Sequence, residues 1–201
     1  MKRLFKDKKP QWEGVPFSYS LTSCNFDNLP NITVVHNRDE GVMADAFRGL
    51  PNLPFGLVVV HCYSSPTPAQ VTMLYELHRI SIKDETPILL FHHKKGMAMK
   101  KWRLAMRLMD FVPLNFDEPI SVWNAPRNFK KLRCKTTVAL EEQPSKFYRG
   151  LLQGTKRVLE VFPRVGAVSK TALALGIPVT VFISGEDANT KDLVQRLGGS
   201  F

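Results

Sequence analysis

The sequence predicts an α/β fold with a doubly wound, mostly parallel sheet flanked by helices. Two continuous apolar runs of strand length, at 56–62 and 86–92, are typical of strands buried on both faces of a parallel sheet. Segments with helical spacing of apolar residues alternate with these runs, as in βαβ units. The composition, 44% hydrophobic and 23% charged residues, is that of a folded globular chain.

The elements of the first half follow a basic, turn-rich arm. Residues 32–36 are a β-branched run, which favours a strand, and residues 38–50 have the apolar spacing of a helix. A helix is predicted over 69–80 because apolar residues recur there at helical spacing behind two prolines. After the strand at 86–92, we expect a further helix that continues to about Met109.

The second half is less regular. Residues 111–116 are predicted to form a short edge strand, because Pro113 cannot donate a hydrogen bond within a central ladder. One longer helix is predicted because apolar residues fit a single face of it, although Gly150 and Gly154 would either permit close backbone approach or weaken it. The predicted strands are 120–123, 134–140 and 177–183, and the predicted helices are 145–162, 168–176 and 188–199.

We expect a single α/β domain over residues 31–201, preceded by a basic, irregular arm over residues 1–30. Within the domain, residues 32–122 form a first part and residues 123–201 an additional α/β part. No internal repeat and no low-complexity linker separates the two parts, which favours one unit over two.

Cysteine usage favours a reducing, cytoplasmic location. Cys24, Cys62 and Cys134 are odd in number, far apart and without CxxC spacing, which argues against a disulfide framework or a cysteine-rich zinc site. No apolar run reaches the roughly 18 residues that a membrane span needs, and no apolar segment follows the basic start. We therefore expect neither a membrane span nor a secretory signal.

The net charge of +10 favours a polyanionic partner, and nucleic acid, RNA or DNA, is the one we expect. Cations gather in three clusters, at 2–9, 94–107 and 127–135. The alternative is that each cluster is an ordinary solvated surface. The residues expected to contact phosphates are Lys94, Lys95, Lys100, Lys101, Arg103, Arg107, Arg127, Lys130, Lys131 and Arg133.

The middle cluster is amphipathic when it is drawn as a helix. Lys100, Arg103 and Arg107 lie along one side, so they would form a narrow cationic stripe. Trp102 and Ala105 lie on the opposite side, so the tryptophan is expected in the core rather than on a base-stacking surface.

Histidines end three of the predicted strands. His36, His61 and His92 would meet at one edge of the sheet if these strands are neighbours, where ligands of parallel sheets usually bind. Imidazoles bind transition metals and act as general bases, so these three are candidate metal ligands. His93 would point to the other face from His92 while the strand continues. The alternative is that these histidines are partly buried polar ends or that they assist anion binding.

No cofactor is expected, because the glycine spacings of dinucleotide-binding and P-loop proteins are absent. The first part of the domain, 32–122, resembles a response-regulator receiver domain, in the segments "VVHNRDEG", "GLVVVHCYSSPTPAQVTMLYELHRI", "TPILLFHH" and "DFVPLNFDEP". Asp39 and Glu40 would stand for the acidic pair of that family.

The resemblance implies a degenerate receiver without aspartyl phosphorylation. His61 or Cys62 stands where the family has its phospho-accepting aspartate, and His92 stands where it has a hydroxyl residue. The family's lysine is replaced near Leu114 and Asn115. Such a domain would act as an interaction module.

Three functions follow from these patterns. The leading hypothesis is a non-enzymatic basic protein that binds nucleic acid mainly through its phosphates. The first alternative is a pseudo-receiver that acts as a regulatory or scaffold module and binds a protein partner or forms a homodimer. The second is a metal-dependent enzyme that uses the histidine-lined edge of the sheet.

Overall fold

The computed structural model of the chain describes residues 32–37, 55–81, 86–115, 119–125, 129, 145–164 and 166–184. Within these ranges it has seven strands: β1 Ile32–Asn37, β2 Leu57–Cys62, β3 Ile88–His92, β4 Pro113–Asn115, β5 Ile120–Trp123, β6 Val158–Val161 and β7 Val179–Ser184. The helices described there are α1 Pro68–Ser81, α2 Met97–Leu108, α3 Ser145–Leu152 and α4 Ala167–Ala174.

All seven strands belong to one sheet, in the order β1-β7-β6-β2-β3-β5-β4. The first five strands in this order are mutually parallel. β5 runs antiparallel to β3, and the edge strand β4 runs antiparallel to β5. The predicted α/β class with a mostly parallel sheet is therefore confirmed.

Helices cover both faces of the sheet. Side chains of α1 and α2, such as Leu74 and Trp102, pack on one face against alternate residues of the central strands. Side chains of α3 and α4, such as Leu152 and Val168, pack on the other face. β2 and β3 are buried at every position, which explains why both strands read as continuous apolar runs in the sequence.

The neighbours β2 and β6 form a topological switch point. From β2 the chain continues through α1 to β3 on one side, and from β6 it continues through α4 to β7 on the other. The loops that leave the carboxyl ends of β2 and β6 therefore diverge and open a crevice. In open α/β sheets, ligands bind in such a crevice.

The predicted helix at 145–162 is wrong beyond its first half. α3 ends at Leu152, Gly154 takes a φ of 82°, and the chain then enters β6. β6 lies between β2 and β7 and is buried at all four positions. A short apolar run buried on both faces carries no periodicity, so it cannot be distinguished from a continuing helix by its pattern.

Other predicted elements are confirmed, including the edge strand around Pro113 and the helix ended by Gly176. The arm 1–30, the helices predicted at 38–50 and 188–199, and the strand predicted at 134–140 lie outside the described residues. In the described part of the chain, no helix has the length and apolarity that a membrane crossing requires.

The sheet order contradicts the receiver resemblance. Receiver-type sheets have the strand order 2-1-3-4-5, in which the first strand lies next to the third. Here β1 lies at one edge of the sheet, separated from β2 by β7 and β6. Over the described residues of 32–122, the succession of strands and helices was predicted correctly, but its spatial arrangement was not.

Candidate active site

A buried hydrogen-bonded network joins the two strands of the switch point. His61, the fifth residue of β2, has its Nε2 2.9 Å from Oε1 of Glu160 on β6, and neither side chain is exposed. The other carboxylate oxygen of Glu160 accepts the backbone N–H of Ser169, at 2.9 Å, and the Ser169 hydroxyl. Since Ser169 lies in the first half of α4, the carboxylate ties this helix to both strands.

The network continues to a third strand through His93, which directly follows β3. Its Nε2 lies 3.0 Å from Nδ1 of His61, and the two rings are nearly stacked, 26° apart in plane. His61 and His93 therefore face the same side of the sheet. This is the α3 and α4 side, where the neighbouring odd-numbered residues of β2 and β3 pack.

An aromatic stack extends this network across the mouth of the crevice. Tyr63, in the loop after β2, stacks on His93 with centroids 4.2 Å apart. Above Tyr63, the guanidinium carbon of Arg164, from the loop after β6, lies 4.3 Å from the ring centroid. The cation–π contact therefore connects the two loops that diverge at the switch point.

Hydrogen bonds hold the loop after β2 in place. The indole N–H of Trp102, which is buried on α2, donates to the carbonyl oxygen of Ser64 at 2.7 Å. Thr67 and Gln70 exchange two reciprocal bonds that cap the start of α1. The loop is thus anchored directly after Tyr63 and again at the start of α1.

His92 lies on the opposite face of the sheet from His93. Its Nε2 is 2.8 Å from the hydroxyl of Ser121, which also accepts the indole N–H of Trp123 at 3.1 Å. The Nδ1 atom of His92 is buried without a hydrogen-bond partner in the described structure. Burial, with a smaller contribution from the positive charge of Arg103, lowers the pKa of His92 to about 3.

The titratable groups around the crevice keep the His93 ring uncharged. Burial, with smaller contributions from His61, Arg164 and His92, lowers the pKa of His93 to about 3. Cys62 is not a nucleophile at this edge, because burial raises the pKa of its thiol and leaves it protonated.

The three histidines proposed as metal ligands do not come together. His36 lies on β1, three strand spacings from β2, which is about 14 Å across the sheet. His61 and His92 point to opposite faces. Among the residues that the structure describes, no group of three or more histidine, cysteine or acidic side chains could hold a metal ion.

The predicted phosphate-binding residues begin at the rim of the crevice. Lys94 and Lys95, which are exposed, directly follow His93. On α2, Arg103 is half-buried, whereas the remaining cations Lys100, Lys101 and Arg107 are exposed. Arg127, Lys130, Lys131 and Arg133 lie outside the described residues.

Sequence reasoning missed most members of the network. Glu160 was assigned to a helix, although a carboxylate inside the apolar run "VLEVF" is a signal for a buried, hydrogen-bonded acid. Tyr63, Arg164 and Ser169 carry no motif, and only the fold brings them together. His61 was identified by its place at the end of a strand.

Solved structures share this architecture over most of the chain. A protein from Thermus thermophilus assigned as a DNA modification methylase superposes with a TM-score of 0.55 at 13% identity, over 82% of this chain and 94% of that one. The M1.HpyAVI–SAM complex superposes with a TM-score of 0.56 at 13% identity, over 83% and 99%. The chain shares their fold. The Thermus protein complexed with S-adenosyl-L-methionine (SAM) superposes with a TM-score of 0.50 at 12% identity, over 82% and 92%.

No protein-family model matches the sequence, and no curated protein matches it in sequence. The structural comparisons nevertheless correct the sequence-based interpretation. The receiver resemblance is wrong, together with the regulatory role that it implied, because the matching folds are those of DNA methylases. The hypothesis of a non-enzymatic binder is wrong for the same reason, since structures of this fold are complexes with SAM.

Proposed function

We propose that the protein is a SAM-dependent methyltransferase that acts on nucleic acid. The observation that carries this proposal is the switch point between β2 and β6, where Tyr63, His93 and Arg164 lie together next to the buried His61–Glu160 pair. Two structures with this fold are described as complexes with SAM. Their low identity to this chain makes the activity an inference from the site.

The chemical groups of the crevice fit the methyl donor. His93 stacks on Tyr63 and the Arg164 guanidinium lies over the same ring, so a sulfonium would contact the ring in place of this guanidinium. The guanidinium of Arg164 would pair with the carboxylate of the methionine part, as guanidinium groups do with carboxylates. When bound, SAM supplies the methyl group and a sulfur leaving group.

Two features of the β6–α4 loop indicate where an anionic group of a bound ligand would lie. Gly166 takes a φ of 63° directly before α4, so the chain turns sharply between the crevice and the helix. The Glu160 carboxylate already occupies the N–H of Ser169 in that helix. An anionic group of the ligand is therefore expected on Arg164 rather than at the start of α4.

Nucleic acid as the substrate is supported by charge. The chain carries a net charge of +10, and exposed Lys94 and Lys95 directly follow His93 at the crevice. Phosphate contacts at these lysines would position a nucleic acid without reading its sequence. The exposed cations Lys100, Lys101 and Arg107 of α2 extend the basic surface away from the crevice.

Calorimetric titration with SAM tests the donor site in the full-length protein. We expect binding by the wild type, and we expect Arg164→Ala to weaken it roughly 10- to 100-fold, since a hydrogen bond to a charged group contributes about 1.5–3 kcal/mol. Arg149→Ala, at an exposed position of α3, is the matched control and should bind SAM as the wild type does.

Absence of SAM binding by the wild type would overturn the donor assignment. Equal weakening by Arg164→Ala and Arg149→Ala would instead show that SAM binds outside the crevice. Titration with S-adenosylhomocysteine, which lacks the positive charge on sulfur, separates the contribution of the Tyr63 ring. SAM should bind more tightly than this analogue if the ring faces the sulfonium.

A further inference from the structure

We propose that Ser169, an ionised Glu160 and a neutral His61 together fix His93 in the tautomer that leaves its Nδ1 as a hydrogen-bond acceptor for an N–H group of the methyl-accepting substrate. This inference rests on the proposed function for its chemistry, but the tautomer itself can be tested without it. His93 would be a catalytic residue in contact with substrate, and the other three would position it.

The chain of hydrogen bonds starts at Ser169, whose backbone N–H can only donate. Both the N–H and the hydroxyl of Ser169 donate to Oε2 of Glu160, so this oxygen accepts two hydrogen bonds. Oε1 remains for His61, whose Nε2 lies 2.9 Å away. A carboxylate accepts only, so Nε2 of His61 carries the proton in this pair.

A neutral imidazole with its proton on Nε2 has an unprotonated Nδ1. In a neutral His61, Nδ1 therefore accepts, and Nε2 of His93, at 3.0 Å, donates to it. A neutral His93 that donates from Nε2 carries its lone pair on Nδ1. In this proposal the two donors of Ser169, an ionised Glu160 and a neutral His61 together set the direction of each hydrogen bond in the chain.

His93 remains in this form over the working pH range. Burial, with smaller contributions from neighbouring charges such as that of Arg164, lowers the pKa of His93 to about 3, so the ring is neutral well above that pH. No described residue hydrogen-bonds to Nδ1 of His93. Stacking on Tyr63 and His61 fixes the plane of the ring.

A fixed acceptor at this place selects a nitrogen that bears hydrogen. In the transfer step the lone pair of the substrate nitrogen forms the new bond to the methyl carbon, and the electrons of the carbon–sulfur bond stay on sulfur. The nitrogen then gives its surplus proton to Nδ1 of His93. The exocyclic amine of a nucleobase is much less basic than a simple aromatic amine, because its lone pair is delocalised into the ring. Its methylated, protonated form is therefore acidic enough to give a proton even to a His93 ring with a pKa of about 3.

Nitrogen-15 NMR of histidine-labelled full-length protein tests the tautomers directly. In the wild type we expect an unprotonated Nδ1 and a protonated Nε2 on His93, and the same pattern on His61. In Glu160→Gln the amide oxygen can keep the Ser169 bonds while the NH₂ donates to His61. Both rings should then invert, which leaves His93 with a protonated Nδ1.

Glu76→Gln is the matched control, since Glu76 is a buried glutamate that pairs with Arg79 on α1, the helix that packs on the opposite face of the sheet. It should leave both histidine tautomers unchanged. If the wild type shows a protonated Nδ1 on His93, the relay is overturned, and this result does not depend on whether Glu160→Gln folds. A folded Glu160→Gln without inversion overturns it as well.

Parallel titration with SAM separates this inference from the proposed function. If SAM binds and the tautomers are not as predicted, only the relay fails. Where the tautomers are as predicted and SAM does not bind, the proposed function fails, and with it the substrate role of His93. If both hold, Glu160→Gln should reduce kcat of methyl transfer at least tenfold with little change in the KM for SAM.

Discussion

At the residue scale, His92 makes the stability of the protein depend on pH. Its folded pKa of about 3 lies below the ordinary value of 6.5, so the unfolded chain binds a proton that the folded chain excludes. The stabilising effect is complete above about pH 6.5 and is lost as the pH falls toward 3. His92→Gln should reduce the pH slope of the unfolding free energy by up to about 1.4 kcal/mol per pH unit.

Urea unfolding followed between pH 7 and pH 4 measures this slope for the wild type and for His92→Gln. Equal slopes would contradict the burial of a neutral His92 against Ser121. The absolute stability of the variant is not the readout, because the substitution also removes the hydrogen bond at 2.8 Å.

The same scale shows what could be predicted about the site. His61 and His92 were identified because each stands at the end of an apolar run, which is a local property. Their orientation was not predictable, since it depends on which face each residue presents and on partners such as Glu160, 99 positions away in the sequence from His61.

At the element scale, two glycines near the end of α3 should respond oppositely to alanine. Gly150 lies within the helix and Gly154 has a φ of 82°, and at both positions an added Cβ meets no atom within 4 Å. Gly150→Ala should stabilise the protein by about 0.5–1 kcal/mol through helix propensity. Gly154→Ala should destabilise it by about 1–2 kcal/mol through backbone strain.

Thermal unfolding of both variants measures the difference, and each is the control for the other because neither creates a clash. If both substitutions changed the stability in the same direction, this result would contradict the end of α3 at Leu152. The sequence predicted one helix across this region because Val158 and Phe162 fit its apolar face. Apolar periodicity could not reveal β6, whose residues are all buried.

At the scale of the whole molecule, positive charge should govern binding to nucleic acid. Lys94→Gln with Lys95→Gln should lower the slope of log affinity against log salt by about 1.8 for duplex DNA, since each phosphate contact contributes about 0.9. The control variant, Lys146→Gln with Lys156→Gln, removes the same charge away from the crevice. Lys146 is exposed on α3, and Lys156 is exposed just before the amino end of β6. This control pair should change the slope much less.

Filter binding at several salt concentrations measures both slopes. Equal changes in the two variants would show that net charge, and not the rim of the crevice, determines binding. The net charge was read directly from composition. The crevice could not be predicted from the sequence, because β2 and β6 are far apart in the chain and become neighbours only when the sheet is assembled.

The proposed nucleic-acid methyltransferase activity is tested most directly by a methyl-transfer assay with the full-length protein. SAM that is tritiated on its methyl group is the donor, and unmethylated DNA and total RNA are the two acceptors. We expect acid-insoluble label in at least one of the two nucleic acids with the wild type, and at least a tenfold lower rate with Arg164→Ala. Label in neither nucleic acid, under conditions in which the protein is folded, would contradict the assignment as a nucleic-acid methyltransferase.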